Sequence, residues 1–413
     1  MSAIAYRARV VFPVVAPPVE NGVVTIDNGK IVEIGRRTPR GAVEKDLGDV
    51  LLLPGLVNSH THLEFSLLKR PLGKPGIPLP EWAKLIISQR PTARQVDKAV
   101  AAGIQASVEA GTTSLADICR VASSAYASAE RAPRMVLMQE AIGYSQARAS
   151  SALSATKHSL EDLQGAARRL DQRVSLGVCP HAPYTVSPAL IRELVSLASE
   201  RKLPVALHLA EAPEELELLK NGTGPFQELL EERSMWDPWS VSRGATPQDY
   251  LRILNMAPHS LVIHGNYLDH ASLAMMGRHS SAMSLVYCPR THSYFDHPEY
   301  PLVEALSLGV RVCLGTDSLA SNPDLSVLSE MREVARKHPQ VPPEAILRMA
   351  THAGAEALGI NDRAGSIRPG SPADMVAVSV SANSEARANG LLEEALAGSD
   401  PIAGSWINGV QVV

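Results

Sequence analysis

Eight short apolar runs punctuate the middle of this chain, and most of them are separated by stretches of helical periodicity. The runs are "LLLPGLVNSH", "GTTSLADI", "PRMVLMQEAIG", "RVSLGVCPHAPYT", "LPVALHLAE", "HSLVIHGNY", "SAMSLVYCPR" and "VRVCLGTDS". Between them lie segments such as "TARQVDKAVAAGIQASVEA", "SPALIRELVSLASERK", "YPLVEALSLG" and "PPEAILRMATHAGAEALG", whose apolar residues recur at helical spacing. Continuous Val/Ile/Leu runs are the mark of parallel strands buried on both faces, and eight βα units close a barrel. Solenoids also alternate elements, but they need a sequence period, and none is found. With 413 residues, 45% of them hydrophobic, the chain has enough length for such a barrel of about 250 residues plus a smaller domain.

The ends of the chain read differently. "RARVVFPVV", "GVVTIDNGKIVEIG" and "AVEKDLGDVLLL" near the start, and "GSIRPGSPADMVAVSV" and "GSWINGVQVV" near the end, are strands split by turn residues. One small β domain built from both termini is expected. The division predicted is residues 1–54, a barrel over 55–360, and 361–413. The stretch "EERSMWDPWSVSRGATPQDY" fits neither pattern and reads as an insertion after the fifth strand, around Trp236 and Trp239, on the active-site side.

Polar residues gather where the apolar runs stop. The first run ends in His60 and His62, the fourth in His181, and the fifth in His208 with Glu211 three residues on. The sixth ends in His264, the seventh is followed by Arg290 and His292, and the eighth ends in Asp317. In a βα barrel these positions ring one mouth, where such folds carry their chemistry. Side chains alternate along a strand, so His60 and His62 point the same way. Two adjacent imidazoles repel when protonated and gain little from burial when neutral; a divalent cation held by neutral ring nitrogens resolves both. Two surface histidines at one strand end would explain the pair alone, but not His208, His264 and Asp317 at equivalent points of other strands. Three imidazoles and a carboxylate leave room for a water whose pKa the ion lowers towards about 7. Glu211 is then the candidate to carry its proton.

Bulk properties exclude other classes. The net charge of -4 and the 4% aromatic content argue against a nucleic-acid partner, and nothing suggests an anionic membrane surface. No stretch approaches a membrane span. The start, broken by Pro13, Pro17 and Pro18, lacks the pattern of a signal peptide. Cys119, Cys179, Cys288 and Cys313 are widely spaced and read as reduced thiols. A cytoplasmic enzyme is expected.

The motifs "PGLVNSHTHLEFSLLK", "PHAPYTVSP", "HLAE", "VIHGNYL", "YCPRTHSYF", "LGTDSLASNPDLSVLSEM" and "AGSIRPGSPADMVAV" together resemble the amidohydrolase superfamily, within it the cytosine deaminase/triazine hydrolase group. They occur in the family's order over nearly the whole chain. The resemblance implies an α/β fold, a distorted (β/α)8 TIM barrel with a small β-sandwich from both termini. It implies one divalent metal, zinc first and iron as the other choice, on His60, His62, His208 and Asp317. It gives Glu211 the proton shuttle, His264 a hydrogen bond to the attacking oxygen, and Asp317 a proton from the water. The fourth run has no lysine for a second metal; another branch of the superfamily uses a glutamate of the third strand as a ligand, which Glu140 in "LMQEAIG" could match, although a polar supporting place is favoured for it. The group's members are often dimers or larger, so a homodimer is carried over from the resemblance alone.

The implied reaction is hydrolytic deamination of a small heterocyclic substrate. "IPLPEWAKL" is similar to the adenosine-type deaminases' Glu–Trp that reads ribose hydroxyls, which points to Glu81 and Trp82; Trp82 is as readily a packing anchor. His181 matches the histidine that holds ring or sugar. His292 in "CPRTHSYF" and Glu64 in "HTHLEFS" are similar to aminodeoxyfutalosine deaminases, although Glu64 paired with Arg290 would be purely structural. An aminopurine nucleoside, with 6-amino-6-deoxyfutalosine of the menaquinone route as the named candidate, is the first expectation. Guanine, pterin or cytosine deamination, triazine dechlorination and an inactive scaffold are the alternatives.

Overall fold

The computed structural model describes residues 3–128, 132–167, 173–240 and 243–413. Val241 and Ser242 of the expected insertion, and Met1 and Ser2 of the first segment, lie outside these. The strands β1 (Ile4–Val11), β2 (Val19–Asp27), β3 (Lys30–Gly35), β4 (Val43–Asp46) and β5 (Val50–Pro54) come first. Eight more follow: β6 (Leu56–Thr61), β7 (Thr112–Cys119), β8 (Arg134–Ala141), β9 (Val174–Pro180), β10 (Val205–Leu209), β11 (Ser260–His264), β12 (Met283–Tyr287) and β13 (Arg311–Leu314). The chain ends with β14 (Met375–Ser379), β15 (Ile402–Ile407) and β16 (Val410–Gln411).

Strands β6 to β13 form one sheet in sequence order, every neighbour parallel. The parallel bridge Thr61–Asp317 joins its two edges, with the amides of Thr316 and Asp317 both donating to the carbonyl of His60. Each strand corresponds to one of the eight apolar runs. The architecture is a (β/α)8 barrel. Its interior is filled by apolar side chains, among them Val57, Ala116, Val136, Met138, Ala206 and Ile263. A larger cluster fills the layer between barrel and helices.

The remaining eight strands come from both ends of the chain and make a second, mixed sheet. Its β1 pairs with β4 over Ile4–Arg7 and with β5 over Val10–Val11, so the sheet parts there. Tyr6, Val24, Ile31, Leu52 and Trp406 are buried together, with Trp406 edge-on to Tyr6.

Only Gly55 separates β5 from β6, so one continuous run of chain leaves the small sheet and enters the barrel. A Cβ at Gly55 would fall 2.0 Å from Thr113 Oγ1, which is why glycine stands at this crossing. Arg134, the first residue of β8, ties the two sheets from the other side: its Nε donates to Asp374 at 2.8 Å and its Nη2 to Asn408 at 2.5 Å. All four cysteines are buried and unpaired. Among the described residues no helix is long and apolar enough to cross a membrane.

Candidate active site

The C-terminal exits of the barrel strands deliver the imidazoles to one place. His60 is fully buried on β6, and its ring lies 4.8 Å from that of His62, 4.9 Å from His208 and 5.6 Å from His264. Asp317 Oδ1 approaches His60 Nε2 at 3.5 Å and His62 Nε2 at 3.6 Å. Two overlapping groups have ligand-capable atoms within 4.8 Å of one another: His60, His208 and His264, and His60, His62 and Asp317. Both ring nitrogens of His60 are buried without a hydrogen-bond partner. Two orphaned nitrogens on a buried ring are costly unless something else satisfies them. The residues present therefore fit a divalent cation.

Electrostatics agree. Burial, then the charges of His208 and His181, push the His60 pKa well down; burial does the same for His62 and His264 and lowers His208 to about 4. The rings are thus held neutral, the form that ligates metal. His208 Nδ1 lies 2.9 Å from the carbonyl of His181, so its Nε2 is the nitrogen turned to the centre.

Two of these residues occupy backbone conformations that side chains rarely adopt: φ is +67° at His264 and +55° at Asp317. Their surroundings hold them there. Tyr300 Oη donates to the carbonyl of His264 at 2.7 Å. Thr61 Oγ1 donates to the carbonyl of Asp317 at 2.8 Å, and Ser321 Oγ to its Oδ2 at 2.7 Å.

Glu211 stands beside this cage. Its Oε1 is 3.3 Å from His264 Nε2, and its Oε2 accepts a hydrogen bond from Tyr184 at 3.3 Å. Burial raises its pKa well above the carboxylate range, reinforced by Asp317 and Glu215 and opposed by Tyr184. Glu215, on the following helix, accepts the amides of both Ala210 and Glu211, each at 2.9 Å. Tyr184 stacks on Phe226 at 4.0 Å, which fixes its ring.

A cavity of about 340 Å³ opens onto the cage. His62, Glu64, Trp82, His181, His208, Glu211, His264 and Asp317 all line it. So does Glu140. Trp82 donates its Nε1 hydrogen to the carbonyl of Ala320 at 3.2 Å, and His181 Nδ1 lies 2.7 Å from Thr185 Oγ1. Two of the expected contacts are not brought into the lining. Glu81 is solvent-exposed: it sits in the first turn of the helix Leu79–Ser88, one residue and about 100° of rotation from the inward Trp82. His292 belongs to the short helix Pro289–Tyr294, which starts directly at the exit of β12 and tucks the ring against Tyr287 and Tyr300, at 5.8 and 5.5 Å.

The pairing of Glu64 with Arg290 does not occur. Glu64 is held by Arg120, with Nε and Nη2 both at 3.1 Å from its oxygens. Arg290 is bound by Asp324 and by the fully buried Glu330, a network behind the seventh strand. Arg90, Arg233 and Met235 line the cavity and carried no motif in the sequence reading. The position of the insertion, after the fifth strand and before the sixth, was the available signal for the last two.

A barrel with this cage, fit to hold a metal, at its C-terminal mouth and a small sheet from both chain ends has the architecture of a hydrolase of the amidohydrolase type. Residues 51–412 match the Amidohydrolase family, and the chain belongs to it. It is 29% identical to the 5-methylthioadenosine/S-adenosylhomocysteine deaminase of Nitratidesulfovibrio vulgaris over 380 residues, which cover 88% of this chain and 80% of that one. Among solved structures it resembles a zinc-bound adenosine deaminase from Xanthomonas campestris, at 26% identity and a TM-score of 0.80, covering 99% of this chain and 92% of the other. Helicobacter pylori aminofutalosine deaminase in complex with methylthio-coformycin shares the fold at 22% identity and a TM-score of 0.81, covering 99% and 100%.

Proposed function

We propose that this amidohydrolase is a hydrolytic deaminase of an aminated heterocycle, first an aminopurine nucleoside, with 6-amino-6-deoxyfutalosine of the menaquinone route as the named candidate. The observation that carries the reading is the contact between Glu211 and His264 at the edge of the cage. A carboxyl whose burial favours its protonated form, beside a neutral imidazole, suits protonation of a ring nitrogen, which displacement of chloride does not require. The names of the relatives support deamination. The working unit in this reading is the barrel, residues 55–360, with 1–54 and 361–413 as its platform.

His60, His62, His208 and Asp317 are assigned to the metal, zinc before iron. When bound, the ion supplies Lewis acidity and makes a water more acidic. His264 is set apart from this group because the carboxyl beside its Nε2 is Glu211, the proton carrier, whereas the carboxylate beside His60 Nε2 is Asp317, itself assigned to the metal. Glu211 gives its proton to the ring nitrogen next to the amine-bearing carbon as water oxygen adds to that carbon. His264 holds the incoming oxygen. Asp317 takes one proton from the water and passes it to the amine, which leaves as ammonia, and the hydroxyl left on the carbon returns its proton to Glu211 as it becomes the carbonyl, so substrate and water become a carbonyl product and ammonia. Trp82, His181 and Glu64 are assigned to substrate; Glu81 and His292 are left out because they lie outside the lining.

Ammonia release tests the reading. Adenosine, 5′-methylthioadenosine, S-adenosylhomocysteine, 6-amino-6-deoxyfutalosine, guanine, a pterin and cytosine form the panel, with chloride release from a chlorotriazine as the contrast. Turnover is expected among the nucleosides. Chloride release with no ammonia from any amine would overturn the proposal.

A further inference from the structure

Asp317 keeps a left-handed backbone, φ +55°, and the peptide groups on both sides of it are held. On the far side Thr61 Oγ1 donates to its carbonyl. On the near side the Thr316–Asp317 peptide is gripped at both edges. The Asp317 amide donates to the carbonyl of His60 at 3.0 Å, and the Thr316 carbonyl accepts from Asn322 Nδ2 at 2.8 Å. With that plane fixed, φ of Asp317 sets the direction in which its side chain leaves the backbone.

Asn322 is fully buried, and its amide has a single workable orientation. Both groups facing its NH₂ are acceptors: the Thr316 carbonyl, and Glu330 Oε1 at 2.7 Å. Glu330 is fully buried as well, on the helix Val327–Lys337. Its Oε1 also accepts Arg290 Nε at 2.7 Å, and its Oε2 accepts the Arg290 amide at 2.9 Å, just past the exit of β12. One carboxylate thus takes three donors and ties the exit of β12 to the loop after β13. Arg290 is held in turn from the outside by Asp324, a half-exposed residue, at 2.6 Å.

A buried charge is costly, and β12 and β13 are already joined by their own ladder from Ser284 to Tyr287. A fully satisfied buried network does, however, make what it binds rigid. Neither Glu330 nor Asn322 lines the cavity, so any effect of theirs on the site passes through the backbone of Asp317.

We infer that Glu330, acting through Asn322, is a positioning residue that holds Asp317 in its left-handed conformation and so aims its carboxylate at His60 and His62. This rests on the assignment of Asp317 to the metal and is independent of the substrate.

The test uses the full chain loaded with zinc, or with cobalt(II) for its visible spectrum, as native protein and as Glu330→Gln, Asn322→Ala, Asp324→Asn and Asp317→Ala. Thermal unfolding checks that each variant folds. Glutamine at position 330 keeps the shape but has one acceptor oxygen in place of two. Alanine at position 322 removes the relay and leaves the Glu330–Arg290 pair in place. Both are expected to weaken zinc about 10- to 100-fold in chelator competition, the usual cost of losing a group that orients a metal ligand, and to alter the cobalt absorption. Asp324→Asn loosens only the outer end of the network, so its thermal midpoint should fall while zinc affinity and cobalt spectrum stay native. Native zinc affinity and spectrum in Glu330→Gln and Asn322→Ala, with zinc weakened in Asp317→Ala, overturn the inference and keep the ligand assignment. An equal loss of zinc in Asp324→Asn also overturns it, because general loosening would then account for the effect. Native zinc affinity in Asp317→Ala removes the assignment and the inference together. If Glu330→Gln does not fold, Asn322→Ala decides alone.

Discussion

Glu211 and His264 meet at 3.3 Å, although 52 positions of chain separate them and they leave different barrel strands. The meeting depends on two backbone kinks. Ala210 and His264 both have positive φ, at +53° and +67°, so the backbone turns sharply at both strand exits, just before Glu211 in one and at His264 itself in the other. Neither residue is glycine, so the conformation is held by what surrounds it. Glu215 ties down the amides on one side and Tyr300 the carbonyl on the other.

Replacing Glu211 by Gln tests the proton transfer. The amide keeps the shape and one acceptor but cannot pass a proton. Ammonia release should fall about 10²- to 10⁴-fold, the usual contribution of a positioned acid or base, with metal content by elemental analysis unchanged. Turnover at the native rate would contradict the assigned role.

The metal should be visible in stability as well as activity. Stripping with a chelator is expected to abolish ammonia release, and zinc or iron to restore it. An ion at a hundred times its dissociation constant stabilises a fold by about 2.7 kcal/mol, so the thermal midpoint should rise on reloading. In His208→Ala the rise should shrink together with the metal bound per chain. A full thermal response in that variant would remove His208 from the ligand set.

Much of this arrangement is legible in the primary structure because barrel strands combine two signals. They are buried almost throughout and rich in apolar residues, and they stop at residues that have no business in a core. His60, His208, His264 and Asp317 stand at such stops, and the folded chain gathers them. The helical side of the mouth gives no such signal. In the helix Leu79–Ser88 a single residue decides between solvent and cavity, so Glu81 faces out while Trp82 faces in. His292 follows a strand exit, as the others do, but an immediate helix start turns it away. Arg90 and Met235 owe their place to the packing of distant segments, which local pattern does not encode. The Arg120 partner of Glu64 comes from the exit of the next strand, a pairing settled by register.

Arg134→Met tests how the two sheets are joined. The substitution leaves Asp374 buried with no cation. Breaking a buried pair from one side costs about 3–5 kcal/mol, and urea unfolding should show a loss of that order. Burial already raises the Asp374 pKa above its usual value, against the pull of Arg134, so removing the arginine raises it further. A group whose pKa is raised on folding favours the fold when protonated and loses that contribution as pH rises through the folded value. The variant's deficit should therefore be smallest in acid and grow towards neutral pH. A deficit independent of pH would mean that Asp374 finds another partner.

Glu215→Gln separates the aiming of Glu211 from its chemistry. The two carboxylate oxygens of Glu215 accept two consecutive amides, those of Ala210 and Glu211, inside the protein. An amide side chain offers one oxygen and turns an NH₂ towards the second N–H. One buried donor is then unsatisfied, at a cost of about 1–3 kcal/mol, and the kink at Ala210 loses half of its anchor. The expected result is a lower thermal midpoint and slower ammonia release with the metal retained, because the ligands are tied elsewhere: His208 to the carbonyl of His181, and Asp317 to Ser321. Glu215→Ala, which removes both acceptors, should be worse on both counts. If Glu215→Gln lost metal instead, the helix that follows β10 would be holding the cage itself and not only the carboxyl beside it.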